Sequence, residues 1–335
     1  MLALVTITGW HWAGFILLVL IFLALDLRLF HRHPHTVQFR EALVWTGIWF
    51  AVALAFVLAV KFMRGEKEAW QFLTGYFIEL SLSMDNVFVI ALIFGYFAIP
   101  SEHQHRVLFW GILGALLMRG IMIGLGVALI SLFDWVLYVF GGFLVLTGVK
   151  MIFWPTKVEP QKNFIVRAVR RIFPIAPQLD GQKFITCWQG RRALTPLALV
   201  LVMVETTDLF FAVDSIPAIF AVTTKPFIVF TSNVFAILGL RSLYFVLARA
   251  IRYFRHLKLG LSLVLVFIGV KMLIDPHDNP PRWFQYDIST PASLLVVAGI
   301  LAVSIICSVV PERRERKQSD EAQNKKSQDP DSKSQ

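Results

Sequence analysis

Charge and cysteine are what this chain has least of. Only 16% of its 335 residues are charged, where soluble domains carry about a quarter, so water is not the solvent for most of the chain. There are two cysteines, Cys187 in a basic stretch and Cys307 in an apolar one. Their placement suggests neither a disulfide nor a thiolate metal site, which leaves thiol redox chemistry without support. The sequence has no Gly-x-x-x-x-Gly-Lys-Ser/Thr loop to hold ATP, no His-Glu-x-x-His and no Gly-x-Ser-x-Gly. Direct use of ATP and the common hydrolytic mechanisms therefore have no residues to carry them.

What the chain has instead is apolar length. Hydrophobic residues make up 57% of it, and runs such as Phe15 to Leu25, Ile48 to Val60 and Leu294 to Ile306 are too long and too numerous for buried helices of a soluble protein. The fold class expected is an all-α polytopic membrane protein with about nine transmembrane helices, at 11–29, 42–62, 71–97, 107–131, 133–153, 194–222, 227–248, 257–275 and 291–310. No basic residue precedes the first run and no small-residue cleavage site follows it, so it is expected to remain a span. The net charge of +10 falls in short segments between spans, which orients the chain in a bilayer and gives nucleic acid no support as a partner. Arg28, Arg40, Arg106, the basic loop 154–193, Arg252, Arg255 and Arg313 to Lys317 collect on one side, against Arg64, Lys67, Lys225 and Arg282 on the other. The positive-inside rule puts the N-terminus outside and the C-terminus in the cytoplasm. Residues 1–310 form the membrane domain, and the polar tail 311–335 is expected to be disordered. In the loop, Phe164, Ile165, Ala168, Val169, Ile172 and Phe173 recur at helical spacing opposite Arg167, Arg170 and Arg171. That pattern suits a helix on anionic lipid or one packed on the protein body.

Two segments resemble each other internally. Glu79 and Asp85 are six residues apart, as are Asp208 and Asp214; Asn86 and Ser215 follow the second acids; Arg119 and Arg241 come next, then the string Gly-Val-Lys-Met at 148–151 and again at 269–272. Each unit, about 71–153 and 194–275, holds three spans, an odd number. Spans 3–5 and 6–8 therefore enter the membrane with opposite polarity, the inverted repeat on which many transporters are built around a midplane site.

The acids of these units stand where lipid penalises charge: Glu79, Asp85, Glu205, Asp208 and Asp214 lie inside two spans, which contain neither His nor Cys. Arg119 and Arg241 offset part of the charge, either locking the helices together or serving as moving counter-ions. Carboxylate, amide and hydroxyl oxygens suit a hard divalent cation. Glu79, Ser83 and Asn86 share one helical face, and Glu205, Asp208 and Ser215 another. Asp85 and Asp214 lie about two thirds of a turn away from the acids that precede them, so they face other neighbours or the helix opens between the acids. Pro217 favours opening, because it leaves the Val213 carbonyl without its helical donor. Lys150 and Lys271, at span ends, are expected to snorkel. His31, His33 and His35 read as a solvated turn, and Trp10, Trp12, Trp154 and Trp283 as an interfacial belt.

The segments 79–89 (ELSLSMDNVFV), 208–220 (DLFFAVDSIPAIF) and 227–241 (FIVFTSNVFAILGLR) resemble the signature stretches of the TerC family, closest to its Alx branch of bacterial inner-membrane proteins, over about residues 10–310. The resemblance implies export of manganese, with Glu79, Asp85, Asn86, Asp208, Asp214 and Ser215 as the metal path; older labels of tellurium resistance and redox modulation attach to relatives. The reading is a secondary transporter with Mn²⁺ as cargo and no tightly bound cofactor. Asp85 and Asp214 are its principal ligands, Asn86, Ser215 and the Val213 carbonyl complete the shell, and Glu79, Glu205 and Asp208 support them. Its partners are a divalent metal ion and the bilayer, with a homo-oligomer as an option. A membrane scaffold and an intramembrane aspartyl hydrolase are the alternatives.

Overall fold

In lipid a backbone has no water to bond, so long apolar runs satisfy every N–H within a helix. The computed structural model describes residues 7–30, 38–153, 164–250, 257–275 and 285–308. Its helices are α1 (Gly9–Phe30), α2 (Phe39–Arg64), α3 (Glu66–Tyr96), α4 (Ser101–Leu132), α5 (Val136–Phe153), α6 (Phe164–Ile172), α7 (Pro196–Phe220), α8 (Pro226–Ala250), α9 (Leu257–Ile274) and α10 (Thr290–Ser308). A helix occupies each of the nine stretches expected to span. Seven of them, α2, α3, α4, α5, α7, α8 and α10, are both long and apolar enough to cross a bilayer. The chain is an all-α polytopic membrane protein.

Local chemistry sets the helix ends. Thr195 caps α7: its hydroxyl accepts from the Ala198 N–H at 3.4 Å and donates to the Lys183 carbonyl at 2.8 Å, with Pro196 at the first helical position. Gly65 alone separates α2 from α3, at φ 93°, which a side chain would resist. Contrary to the expectation raised by Pro217, α7 does not open: the helix runs through it to Phe220. The proline stands in the last turn, where one helical bond is lost and the Ala221 N–H still reaches the Pro217 carbonyl at 3.1 Å.

The two halves pack through each other. α3 lies along α8, α4 along α7, and α5 along α9. The glycines of the repeated Gly-Val-Lys-Met string explain the last pair. A Cβ on Gly269 would sit 2.8 Å from the Gly141 carbonyl oxygen, and one on Gly148 2.8 Å from that of Ser262. Small residues let membrane helices approach at backbone distance. Gly269→Leu should therefore destabilise the protein by about 3 kcal/mol, the upper range for overpacking; a lowered thermal midpoint in detergent is the check.

The stretch before α7 contains more structure than expected. Strands β1 (Ile185–Trp188) and β2 (Arg191–Leu194) form a hairpin, closed by Gln189 and Gly190 at φ 52° and 74°, the left-handed pair that a two-residue turn requires. α6 packs its Val166 and Val169 on the body beside Leu197 and Leu199, while Arg167, Arg170, Arg171, Ile172 and Phe173 stay exposed. Lys271 departs from the snorkelling expectation. It is buried, and its ammonium donates to the Ala221 carbonyl at the end of α7 (3.0 Å) and to Asp275 (2.8 Å). Lys150 is exposed. Trp10 is exposed, whereas Trp12 packs edge-on against Phe227 at 5.3 Å. Residues 31–35, Trp154, Trp283 and the tail 311–335 lie outside the described residues.

Candidate functional site

Arg119 enters the bundle from α4 and is fully buried, so its charge must be met by protein groups. Its Nε and Nη2 donate to the two oxygens of Asp208 on α7, at 3.1 and 2.9 Å, a bidentate fork. Its Nη1 donates to Glu79 Oε1 on α3 and, at 3.4 Å, to Ser215 Oγ on α7. Asn86 Nδ2 adds a hydrogen bond to Asp208 Oδ1 at 3.2 Å. Glu79, Asn86, Asp208 and Ser215 are all buried.

These bonds fix the relative direction of α3 and α7. Going up α3 from Glu79 to Asn86, the partners on α7 change from Ser215 back to Asp208, so the two helices are antiparallel. The end contacts agree: the Lys225 ammonium, beyond α7, reaches Glu68 at the start of α3 at 2.6 Å, and the Thr223 hydroxyl donates to Gln71 at 3.2 Å. The site thus has two layers, one with Glu79 and Ser215, the other with Asn86 and Asp208. Seven helical residues put about 10 Å between them. Arg119 bridges the layers.

Glu205, one turn before Asp208 on α7, extends the second layer towards the hairpin end of the bundle, where Asp208 is its charged neighbour. Its carboxylate occupies the space a Cβ would take at Gly114. Ser83 stands on the Glu79 face of α3, buried. Four oxygens around the cluster are buried without a partner: Glu79 Oε2, Ser83 Oγ, Asn86 Oδ1 and Glu205 Oε2. Unsatisfied buried acceptors in one place point to something that fills them.

Asp85 and Asp214 stand apart from this cluster, as their helical phase requires. Both are half-buried. Asp85 has Lys258 of α9 as its charged neighbour; Asp214 takes a hydrogen bond from the Thr147 hydroxyl of α5 and faces Lys150. Arg241 is buried in α8, and the Val213 residue that carries the proline-freed carbonyl is partly exposed. Among the described residues no three His, Cys, Asp or Glu side chains converge as a metal cage. Arg119 stands between the carboxylates. Sequence reasoning missed Thr147, Lys258 and Gly114, all of which bear on the acids only through the packing of one helix on another.

A bundle of membrane-crossing helices that spends its centre on an arginine, two acids and their polar partners is a membrane protein with a polar interior site. The chain belongs to the TerC family: the family described as "Integral membrane protein TerC family" matches residues 64–316. It is 52% identical over 304 residues to an uncharacterized membrane protein of Myxococcus xanthus, covering 90% of this chain and 92% of that one. It is 46% identical over 309 residues to a protein of Photorhabdus laumondii (89% and 94% covered) and 45% identical over 320 residues to one of Escherichia coli K12 (92% and 96% covered). Both are named as candidate membrane-bound redox modulators, Alx. These relatives agree with the Alx branch that the sequence motifs suggest. No solved structure matches.

Proposed function

We propose that this protein is a secondary transporter that exports divalent metal cations, manganese foremost, from the cytoplasm. One observation carries the reading: Glu79 and Asp208 share a single guanidinium in the membrane interior while Glu79 Oε2, Ser83 Oγ, Asn86 Oδ1 and Glu205 Oε2 stand unpartnered around them. Carboxylate, amide and hydroxyl oxygens are the ligands of hard divalent ions. Glu79 and Asp208 set two carboxylates on one guanidinium, a formal deficit of one positive charge that an arriving divalent ion would more than supply. Arg119 is then the resident counter-ion: it holds the acids while the site is empty and gives way as cargo arrives. Manganese, over magnesium, calcium or iron, rests on the family resemblance.

Asp85 and Asp214 remain ligands in this reading, as the half-buried carboxylates that cargo meets on either side of the central cluster. The hairpin end faces the cytoplasm by its excess of Lys and Arg, in a bacterial inner membrane. The inverted repeat gains support from reciprocal packing. Matching 148 to 269 also matches 141 to 262, and the contacts Gly141–Gly269 and Gly148–Ser262 exchange under that correspondence. Carboxylates release protons when they take metal, so export is coupled to proton entrance.

The relatives' name offers redox modulation as a second reading. The two cysteines, Cys187 on β1 and Cys307 on α10, are free, exposed and away from the buried cluster. A Cys187→Ser, Cys307→Ser double variant should export like wild type. The test of the main reading is elemental analysis of cells lacking the gene after a manganese challenge. Wild type should lower cytoplasmic manganese; no change in any divalent metal would bring the scaffold alternative forward, which deletion of the α6–hairpin segment then probes.

A further inference from the structure

α8 carries a polar side chain that stands outside the Arg119 cluster. Asn233 is fully buried, and both its Oδ1 and its Nδ2 lack a hydrogen-bond partner. Its neighbours Thr231 and Ser232 are equally buried, but each returns its hydroxyl to its own helix, to the carbonyls of Phe227 (2.7 Å) and Val229 (3.2 Å). A primary amide, with two donors and two acceptor sites, has no such local solution. Leaving it unpaired away from water is costly, and such groups call for a specific cause.

Contacts on either side locate it. Ser232 Oγ lies 2.9 Å from where a Cβ of Gly75 would stand, and Gly75 is one turn before Glu79 on the same face of α3. The ring of Phe230 lies 3.4 Å from the corresponding point on Gly120, the residue after Arg119. Asn233 follows Ser232 directly and is one turn beyond Phe230. It therefore stands within about one helical turn of the Glu79 layer, on the side away from the hairpin.

The repeat makes its chemistry informative. Aligning Arg241 with Arg119 sets Asn233 opposite Gly111, which lies 3.2 Å from Val204 in the same sense, beside Glu205. Aligning Asp208 with Glu79 sets Glu205 opposite Tyr76. The hairpin side of the cluster thus has an acid, Glu205, with no counterpart, and the far side has an amide, Asn233, with no counterpart.

We propose that Asn233 is a ligand for the transported cation, receiving it through Oδ1 on the far side of the Arg119 cluster after Glu205 has received it on the hairpin side. This rests on the transport reading. A neutral amide holds a divalent ion less tightly than a carboxylate, so an ion passed from Glu205 to Asn233 is bound weakly where it must leave, while the proton gradient sets the direction of net flux.

The test uses the purified full chain in liposomes, with Mn²⁺ as probe and both flux and equilibrium binding measured. Asn233→Leu, alike in shape but without polar atoms, should lower flux at least tenfold while its thermal midpoint stays at or above that of wild type. Asn233→Asp should bind Mn²⁺ at least tenfold more tightly and turn over more slowly. Wild-type flux with Asn233→Leu together with unchanged affinity in Asn233→Asp would make Asn233 a packing residue and overturn the proposal. If Asn233→Leu fails to fold, the affinity of Asn233→Asp decides alone. A wild-type protein that neither binds nor moves any divalent ion would instead overturn the transport reading itself, and this inference with it.

Discussion

Arg119→Leu should cost both fold and function, and adding Asp208→Asn to it should return the fold without returning export. Among the described residues the guanidinium is the ion-pair partner of both Glu79 and Asp208. Removing one partner of a buried pair typically costs about 3–5 kcal/mol, because the remaining charge is left uncompensated; here two carboxylates would be left together in a membrane interior. The expected result is a protein that accumulates poorly and melts well below wild type in detergent. With Asp208→Asn as well, Glu79 is the one former ion-pair partner of the guanidinium that is still a carboxylate, and it can be kept neutral by a proton. That double variant should recover most of the lost thermal midpoint, and its manganese flux should stay at background. If Arg119→Leu alone folds and transports normally, Arg119 is neither the lock nor the counter-ion.

The second large effect is expected from Asp208→Asn alone. The amide keeps the shape and one acceptor oxygen for Arg119, and Asn86 can turn its amide to suit, so the fold should survive. What is lost is one of the two carboxylates that a divalent ion would take from the guanidinium. Losing a charged ligand of about 3 kcal/mol corresponds to more than a hundredfold in affinity or rate. Asp85→Asn and Asp214→Asn should have smaller effects on binding, because both acids are half-exposed and have other polar neighbours in Lys258 and Thr147. Manganese affinity of the three purified variants, side by side, checks the order. Equal losses would place Asp85 and Asp214 in the central shell, as the sequence alone suggested.

Much of this site is legible in the amino-acid sequence. Helical phase alone puts Glu79, Ser83 and Asn86 on one face, and Asp208 and Ser215 on another, and leaves Asp85 and Asp214 off both. The structure brings Glu79, Asn86, Asp208 and Ser215 onto Arg119 and sets the two remaining aspartates against other helices. The charge imbalance likewise follows from counting acids and bases within spans. What periodicity could not supply is which of two arginines meets the acids, since that depends on how α4 and α8 pack around α3 and α7. Nor could it show that Pro217 leaves α7 intact, because a proline's effect depends on how near the helix end it lies. The hairpin escaped because its strands, Ile-Thr-Cys-Trp and Arg-Arg-Ala-Leu, are only four residues each and too short to show an apolar alternation. Lys271 escaped because a lysine near a span end looks the same in sequence whether it reaches for headgroups or for the last carbonyl of a neighbouring helix.

Manganese flux into liposomes containing only the purified protein tests the central claim most directly, with wild type and Asp208→Asn in parallel and an imposed proton gradient. The account predicts manganese movement by wild type, accelerated when protons run the opposite way, and flux roughly a hundredfold lower or less for Asp208→Asn, the consequence of losing one charged ligand. Equal flux through both proteins, or none through folded wild type, would contradict it.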